Sequence, residues 1–497
     1  MKKVKLYIAA LACTMLGMQG CSLETEVYDK IDASKYPTAE QDAKDLVTAN
    51  AYSVFRNGEY EGIFNIAKGY PILAEMATDI AYTGWGDQWE AVQFGNYHYA
   101  GGEKNPRNLW GDYIHWLGRM ELTLDRIKSI DMDETKKARY LAEVEVAQGF
   151  LGFILWDFYG PLIIADLEAL KNHRDEFLIL PRSTEEETIA YIERKLKAGI
   201  GVLDDYIPHN SADYGRFTGA LCHTVLMKLY MQSRQWSKAI AEGRELMNPK
   251  YGFALVKDQG KAASCYANIF TYENEGNKET IWAINHDKEY HFNLWYAHVV
   301  SWSGFCMPWI FIDSFKEGDK RIANDNVLAV YDSGQNMYLP RKYTMKIGEN
   351  TDGNKSWTDW IVYRYADVLT MLSEAIVHEG NAVTQEAVNL LNEVHTRDGL
   401  AAYQMTDFAD AQAFIDELLV DRSHEFWYEG CRRQDLIRND KYVETIAKKC
   451  EAWPFFRSPD AIRGIGEKNS HRFPLPSNFC SEGLKGGYEY QNPGYGI

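Results

Sequence analysis

Apolar residues recur at helical spacing along most of the chain, and this pattern predicts a mostly α-helical protein. Helices are predicted over 44–55 and 110–127, where the apolar positions share one face. The longest predicted helix covers 136–159 and stops before Gly160-Pro161, a pair that cannot continue a helix. Helices are therefore expected to carry most of the core.

Two pairs of predicted helices have the form of helical hairpins. The first pair joins 219–233 to 237–247, and the second joins 363–378 to 384–395. Both resemble degenerate tetratricopeptide hairpins, although the chain lacks the strict period of about 34 residues that a regular array shows. The sequence thus predicts a scaffold of helical hairpins with long loops inserted between them.

Two shorter signals complete the pattern. Ser183-Thr184 followed by the three glutamates of 185–187 predicts a capped helix start, and that helix is expected to run toward residue 203. The segment 280–284, Thr-Ile-Trp-Ala-Ile, is the best strand candidate.

The N-terminus has the features of a lipoprotein signal. A basic start is followed by an apolar stretch over 6–18, which is shorter than the ~20 residues that span a bilayer. It ends at Met18-Gln19-Gly20-Cys21, which resembles a lipoprotein cleavage box with Met18 where leucine is usual. We expect a signal peptide over 1–20, lipidation of Cys21 and one mature domain over 21–497. The alternative is a secreted protein with an incidental cysteine.

Charge limits the partners that this chain can bind. The sequence has 53 basic and 71 acidic residues, a net charge of −18. Removal of Lys2, Lys3 and Lys5 with the signal leaves 50 basic residues against 71 acidic ones, or −21. A field of this sign repels nucleic acid and anionic headgroups, and it favours a neutral ligand over a polyanionic one.

Candidate catalytic and metal-binding residues are sparse. The charged residues from Arg422 to Arg438 stand at helical spacing and are expected to form salt bridges rather than an acid/base site; they are Arg422, Glu425, Glu429, Arg433, Asp435 and Arg438. A polar loop explains His286, Asp287, Glu289 and His291 better than a metal site does. Asp352-Gly353-Asn354 lacks the ligands of a calcium loop. We therefore expect no catalytic residue, metal or cofactor.

Six cysteines remain after Cys13 is removed with the signal and Cys21 is lipidated; they are Cys222, Cys265, Cys306, Cys431, Cys450 and Cys480. They form no CxxC pair and show no regular spacing, so zinc ligation by thiolates is not expected. Their pairing stays open.

Three blocks in the C-terminal third resemble the SusD/RagB family. They are Tyr363-Arg364-Tyr365-Ala366-Asp367-Val368-Leu369 with Ser373-Glu374-Ala375, then Asp421 to Gly430 with Arg433-Gln434-Asp435-Leu436-Ile437-Arg438, and finally Phe473-Pro474-Leu475-Pro476 with Gln491-Asn492-Pro493-Gly494-Tyr495. The chain departs from the family pattern at several positions, where His395 replaces Arg, Asp398 replaces Ala, Asp421 replaces Glu, Ser423 replaces Arg and Phe426 replaces Leu. These departures suggest that the surrounding polar network is rebuilt in detail.

The resemblance implies both fold and function. The family consists of surface lipoproteins that hold nutrients for a TonB-dependent outer-membrane transporter. It implies a mostly α protein with tetratricopeptide-like hairpins packed against an irregular loop-rich lobe. It also implies a non-catalytic receptor, lipid-anchored in the outer membrane and exposed at the cell surface, that closes like a lid over a SusC-like barrel. Glu24 and Glu26 resemble the acidic export signal of surface lipoproteins.

The family's glycan site lies on loops rich in aromatic residues. This chain of 14 Trp and 32 Tyr has two such aromatic segments, one containing Trp85 to Tyr97 and the other containing Trp295 to Trp302. Aromatic rings stack on the apolar faces of pyranose rings, while nearby polar side chains bind the hydroxyls. The resemblance therefore implies ring platforms at Trp85, Trp89, Tyr97, Trp295, Tyr296 and Trp302. Asp87, Gln88 and Asn96 are the implied hydrogen-bonding partners, whereas Trp309 is expected to pack in the core.

Three alternatives to a glycan receptor remain open. The first is a peptide-binding receptor of the RagB-like branch, which would hold its ligand through backbone hydrogen bonds. The second is a lipoprotein glycosidase, since its two carboxyls need only lie about 5–9.5 Å apart in space. The third is a helical scaffold whose aromatic loops contact another protein.

Overall fold

Helices form most of the structure, as the sequence pattern predicts. The computed structural model describes residues 36–56, 61–65, 69–82, 109–172, 179–289, 292–293, 306–322, 329–332, 337–340, 342, 351–352, 355–452, 471–493 and 495. Among the helices in these ranges, none combines the length and hydrophobicity needed to cross a bilayer.

In chain order the α-helices are α1 (Glu40–Asn50), α2 (Tyr70–Met76), α3 (Leu109–Lys128), α4 (Glu134–Tyr159), α5 (Leu167–Asn172), α6 (Glu185–Lys197), α7 (Gly219–Gln232), α8 (Trp236–Leu246), α9 (Cys265–Ile269), α10 (Trp309–Ile312), α11 (Tyr365–Gly380), α12 (Gln385–His395), α13 (Ala411–Phe426), α14 (Arg432–Arg438), α15 (Tyr442–Ala452) and α16 (Ser477–Lys485). Short 3₁₀ helices lie at Tyr52–Phe55, Pro249–Tyr251, Tyr272–Asn274, Thr396–Asp398 and Met405–Asp407.

The strands are short and pair in small antiparallel sheets. They are β1 (Thr280–Ile284), β2 (Phe292–Asn293), β3 (Ala329–Asp332), β4 (Met337–Pro340), β5 (Thr351–Asp352), β6 (Lys355–Ser356) and β7 (Trp360–Arg364). β1 pairs with β7, β3 pairs with β4, and β6 lies between β2 and β5. Every residue of β1 and β7 is buried, so this pair is part of the core rather than a surface ribbon.

Helix ends follow the capping signals in the sequence. α4 begins two residues before its predicted start because Asp133 caps it, its Oδ1 accepting the Lys136 N–H at 3.0 Å. α6 begins at the predicted box, where the Glu187 N–H donates to Thr184 Oγ1 and the Thr184 N–H donates to Glu187 Oε2. It ends at Lys197, shorter than the predicted run to residue 203.

The two predicted hairpins are present and pack against each other. α7 and α8 are joined through Arg234 at φ +55°, and α11 and α12 through Asn381 at φ +46°. α8 approaches α11 closely because Gly243 carries no side chain, and a Cβ built there would lie 3.3 Å from Leu372. This pair of packed hairpins is the tetratricopeptide-like scaffold that the sequence predicts.

The start of the second hairpin was predicted wrongly. Residues 363 and 364 end β7, and α11 begins only at Tyr365. β7 was missed because a continuously apolar run shows no period-two alternation and cannot be distinguished from a buried helix. Its β-branched and aromatic composition favours a strand, and Ala283 of β1 is the partner of Ile361.

The C-terminal segment is hydrogen-bonded to helices from the first half of the chain. Asn492 is buried, and its Nδ2 donates to the carbonyl oxygens of Tyr159 at 3.1 Å and Phe473 at 2.8 Å. Arg182 Nη1 donates to the Tyr490 carbonyl at 2.7 Å and to Asn492 Oδ1 at 2.9 Å. The Asn-Pro-Gly-Tyr motif therefore has a structural role, since it closes the fold over the end of α4.

Candidate ligand-binding site

All nine predicted ligand-binding residues lie outside the described residues; they are Trp85, Asp87, Gln88, Trp89, Asn96, Tyr97, Trp295, Tyr296 and Trp302. Cys21, the predicted lipidation site, also lies outside them. The residues that flank both aromatic segments are described, and these fix where the segments join the fold.

The two aromatic segments are joined to the fold at one backbone bridge. The Tyr82 N–H donates to the Cys306 carbonyl at 2.7 Å, and the Cys306 N–H donates to the Tyr82 carbonyl at 2.7 Å. Tyr82 stands three residues before Trp85 of the first segment, and Cys306 stands four residues after Trp302 of the second. One end of each segment therefore leaves the fold from the same place, although 223 residues lie between the two bridge positions in sequence.

A small apolar cluster supports this bridge. It consists of Tyr82, Cys306, Leu436, Tyr442, Ile446 and Cys450. Trp309 is half-buried and packs against the cluster, as predicted for a core residue. Lys449 adds polar support, since its Nζ donates to the carbonyl oxygens of Thr78 at 2.5 Å and Ala81 at 2.8 Å. Burial lowers the pKa of Lys449 to about 7.

The second aromatic segment has another attachment at β2. Phe292 pairs with Ser356, and Asn293 pairs with Lys355 of β6. Asn293 stands two residues before Trp295. Ser356 is buried, so the segment starts at a well-anchored strand close to β7.

The charged residues of the family blocks form a buried ionic network. Arg364 Nη1 donates to Glu279 Oε1 at 2.8 Å and to Glu425 Oε1 at 2.6 Å, and its Nε donates to Glu429 Oε2 at 2.7 Å. Arg397 Nη2 donates to Glu425 Oε1 at 2.5 Å. All these side chains are buried. A general acid must reach its substrate, so this arrangement suits structure rather than catalysis.

Other charged residues that were predicted to form salt bridges are also paired. Arg422 Nη2 donates to Asp367 Oδ1 at 2.8 Å, and its Nε donates to Asp435 Oδ2 at 2.8 Å. Arg438 forms ion pairs with Glu374 at 2.5 Å and with Asp435 at 2.7 Å. The prediction that these charges form salt bridges is confirmed.

These charges lie on two helices rather than on one. α13 ends at Phe426 and α14 begins at Arg432, because Tyr428 at φ +66° and Gly430 at φ +80° turn the chain between them. The turn directs Arg433 toward α4, where its Nη1 donates to Asp157 Oδ2 at 3.0 Å. Helical spacing alone would not bring these two residues together.

Three departures from the family pattern lie in this network. His395 Nδ1 and Asp421 Oδ2 are 3.1 Å apart, so the smaller base and the shorter acid face each other. Asp421 Oδ1 also accepts from Arg321 Nη2 at 2.9 Å. Asp398 Oδ1 accepts the Tyr266 N–H at 3.1 Å. All three residues are therefore paired within the polar network of this chain, and its rebuilding relative to the family stays a prediction.

The loop that contains His286, Asp287 and Glu289 was predicted to be polar, and its described residues are polar and mostly exposed. Asp287 and Glu289 are exposed, and the Glu289 N–H donates to Asp287 Oδ1 at 2.8 Å. The His286 N–H donates to Asp359 Oδ1 at 3.0 Å. His291 lies outside the described residues.

A groove that the sequence did not indicate runs along the helical scaffold. It has a volume of about 830 Å³ and lies beside α11 and α12. Its apolar side includes Phe253, Leu255 and Tyr365, and its polar rim includes Gln385 and Asn389. The rings of Phe253 and Tyr365 are 5.9 Å apart. In sequence these residues look like ordinary helix-packing positions, so no motif points to the groove.

Known proteins resemble the C-terminal part of the chain in sequence and most of the chain in fold. The model of the SusD family matches residues 312–495. No curated protein matches the chain. Among solved structures, a SusD homolog from Bacteroides thetaiotaomicron VPI-5482 has a TM-score of 0.72 at 18% identity, over 94% of this chain and 99% of that one.

Two other solved structures are named for glycan binding. Surface glycan-binding protein A from Bacteroides fluxus has a TM-score of 0.70 at 20% identity, over 92% of this chain and 100% of that one. Surface glycan-binding protein A from Bacteroides thetaiotaomicron, in complex with laminarihexaose, has a TM-score of 0.67 at 17% identity, over 92% of this chain and 100% of that one. At these identities the likeness shows the fold. The family match covers residues 312–495, where the three C-terminal blocks lie, so this part of the chain is similar to the SusD family.

Proposed function

We propose that this protein is a cell-surface lipoprotein that binds a neutral oligosaccharide and delivers it to a TonB-dependent outer-membrane transporter. The observation that carries the proposal is the bridge between Tyr82 and Cys306, which joins one end of each aromatic segment. The solved structures of similar fold include glycan-binding proteins, and they support a saccharide as the ligand class.

Chain reach makes a common platform possible. Trp85 stands three residues after Tyr82, and Trp302 stands four residues before Cys306. An extended chain covers at most about 3.6 Å per residue, so these tryptophans lie within about 11 Å and about 14 Å of the bridge. Both rings can therefore contact one oligosaccharide bound next to it.

The charge balance favours a neutral saccharide. The net charge of −18 opposes sulfated or uronate-rich chains. Asp87, Gln88 and Asn96 would supply hydrogen bonds to hydroxyls, which need no charged partner. The ligand would then be held by stacking and hydrogen bonding together.

A role in binding without catalysis agrees with the environment of three carboxyls in the C-terminal blocks. Glu425, Glu429 and Asp435 are each buried against guanidinium groups, which leaves none of them open to a substrate. We propose that the protein releases its ligand chemically unchanged. Lipidation of Cys21 would tether it to the outer membrane, and closure over the transporter barrel would enclose the ligand before uptake.

Binding to a panel of neutral and acidic polysaccharides tests the proposal. Affinity gels would compare the purified protein with a Trp85→Ala/Trp89→Ala variant and a Trp295→Ala/Tyr296→Ala variant. Trp116→Ala is the matched control, since Trp116 is a half-buried ring on α3 with the Arg119 guanidinium 4.6 Å from its centroid. We expect retention by a neutral glycan, weakened at least about tenfold in both loop variants and unchanged in the control.

The same assay distinguishes the other candidates. Loss of glycan retention in Phe253→Ala but not in the loop variants would move the site to the groove on the helical scaffold. Retention of peptides and of no glycan would favour the RagB-like function. Shortening of the bound glycan would favour a glycosidase, and it would contradict the non-catalytic role.

Delivery to a transporter needs its own test. The protein would be isolated from native membranes in mild detergent with a tag placed on the protein itself. Co-purification of a TonB-dependent barrel is expected. Its absence, with glycan binding intact, would leave a receptor without the proposed delivery step.

A further inference from the structure

Three side chains that are far apart in sequence converge beside β7. His209 Nε2 lies 3.8 Å from Glu275 Oε2 and 3.6 Å from Asp359 Oδ2. The three possible ligand atoms all lie within 4.8 Å of one another. Within the described ranges, no other group of three His, Cys, Asp or Glu side chains converges in this way.

The fold holds each of these side chains from a different element. His209 comes from the connection between α6 and α7, Glu275 follows the 3₁₀ helix Tyr272–Asn274, and Asp359 directly precedes β7. His209 packs against Gly276, where a built Cβ would lie 2.2 Å from the His209 Cβ. Gly276 also has φ +63°, so glycine is required there both for the backbone and for the histidine.

One oxygen of each carboxyl is fixed by the backbone. The Asp359 N–H donates to Glu275 Oε1 at 2.9 Å, and the His286 N–H donates to Asp359 Oδ1 at 3.0 Å. The remaining oxygens, Glu275 Oε2 and Asp359 Oδ2, both face His209. Backbone hydrogen bonds thus orient one free oxygen of each carboxyl toward the same imidazole nitrogen.

Asp359 provides a second observation that points to a ligand. Its side chain is only 5% exposed, and its Oδ2 accepts no hydrogen bond of normal length and angle, although the His209 imidazole at 3.6 Å and the Tyr214 hydroxyl act on this carboxyl. A buried carboxylate oxygen without a partner costs on the order of 1–3 kcal/mol or more. A bound cation would offset this cost.

We propose that His209, Glu275 and Asp359 bind a divalent transition-metal ion, with zinc as the expected occupant. Imidazole nitrogen and carboxylate oxygen are both zinc ligands, with metal–ligand distances of about 2.0–2.2 Å. Ligand atoms in such a tetrahedral site lie about 3.3–3.6 Å apart. The observed 3.6 and 3.8 Å separations from His209 require only a small contraction, and the two carboxylate oxygens, which lie within 4.8 Å of each other, would also have to move to this spacing.

The donor set argues against calcium and magnesium. Calcium takes 6–8 oxygen ligands, and magnesium demands an octahedron of oxygens, whereas this group contributes a nitrogen and two oxygens. The His209 side chain is 44% exposed, so the site opens to solvent and leaves room for a water as the fourth ligand. The same opening provides an entry path for the metal.

A metal here would bind three parts of the fold together. It would link the α6–α7 connection to the segment after Tyr272–Asn274 and to the start of β7. Such a role is structural and independent of the proposed saccharide site. Because the metal binds only the folded arrangement, the thermal midpoint would rise with the logarithm of the free metal concentration above the dissociation constant.

Zinc titration of the chelator-treated protein tests this site. The protein, purified without a polyhistidine tag, would be titrated with ZnCl₂ in a calorimeter and melted with and without the metal. We expect one site that raises the thermal midpoint. His209→Ala and Asp359→Asn should each weaken it by at least about 100-fold. His115→Ala, at an exposed histidine on α3, is the matched control and should leave it unchanged.

Two further measurements distinguish loss of the metal site from misfolding of the variant and from zinc binding at weak surface sites. Circular dichroism of His209→Ala should match the parent, since this side chain is nearly half exposed. Cobalt(II) should give the visible absorption of a tetrahedral site in the parent and lose it in Asp359→Asn. Equal zinc affinity in the parent and in His209→Ala would overturn the proposal. Stabilisation by calcium but not by zinc would also overturn it.

Discussion

Replacing Glu425 with glutamine is expected to destabilise the fold by about 3–5 kcal/mol, the range found when one partner of a buried ion pair is removed. Glu425 is 1% exposed, and its Oε1 accepts from Arg364 at 2.6 Å and from Arg397 at 2.5 Å. Its Oε2 lies 3.5 Å from Arg321 Nη1. Glutamine keeps the size of the side chain but leaves these guanidinium groups with less negative charge.

The lowered pKa of Glu425 gives a second value for the loss of unfolding free energy in this variant. Burial alone would raise this pKa, but Arg397, Arg364 and Arg321 lower it from its ordinary value of 4.5 to about 2. At about 1.4 kcal/mol for each pH unit, that difference corresponds to about 3 kcal/mol in favour of the charged form in the folded state. The destabilisation inferred from the lowered pKa therefore agrees with the lower end of the range of about 3–5 kcal/mol expected for a broken buried ion pair.

Urea denaturation followed by tryptophan fluorescence would measure the effect near pH 7. Glu386→Gln is the matched control, because Glu386 pairs with Arg244 at 3.3 Å where both side chains are more than half exposed. An exposed pair of this kind contributes only about 0–1 kcal/mol. The two variants make the same chemical change and differ only in burial.

The pH dependence provides a sharper test. A carboxyl whose folded pKa is depressed stabilises the fold fully above its unfolded value and loses that contribution as the pH falls through the folded value. The difference between the parent and Glu425→Gln should therefore be constant above about pH 5 and shrink toward pH 2, where the protonated acid resembles the amide. If Glu425→Gln costs no more than Glu386→Gln at neutral pH, the network does not stabilise the fold as argued.

Four further outcomes are expected. Thr184→Ala should cost about 1 kcal/mol in urea denaturation because it removes the capping box of α6, and Ser at this position should restore most of that loss. Gly276→Ala should lower the thermal midpoint and also weaken zinc binding, since its Cβ would displace His209; an unchanged midpoint would contradict the positive φ described there. In the folded protein a thiol reagent should modify Cys265, which is half-buried, before the five other described cysteines, which are buried; mass spectrometry of the labelled peptides would check the order. For Lys449, whose folded pKa of about 7 lies below its unfolded value of 10.5, the stability of the parent relative to Lys449→Met should increase as the pH rises between these values, and a decrease would refute the burial argument.

The helical part of the fold could be predicted closely because its signals are local. Asp133 and Thr184 cap helices next to themselves in sequence, and the periodic apolar positions that follow identify the buried faces. β7 could not be predicted in the same way. Its pairing with β1 is a contact between residues that are far apart in sequence, and a continuously apolar strand has no pattern of its own.

The sequence predicted that the charged residues form salt bridges, but it did not predict which residues pair with each other. Sequence spacing indicated that charges such as Arg422 and Asp435 would form salt bridges, but it did not indicate that these two would pair with each other or that Arg364 would meet Glu279. The possible metal ligands were even less predictable from the sequence than these ion pairs. His209 and Asp359 belong to no motif, and only the tertiary fold brings them together.

The hydrogen bonds of Asn492 have a consequence for local unfolding. The Asn492 side chain bonds both to Arg182 and to the Tyr159 carbonyl, so the C-terminal segment covers the end of α4. Opening of this segment would uncover the end of α4 as well. Hydrogen exchange should therefore show the two regions opening as one cooperative unit.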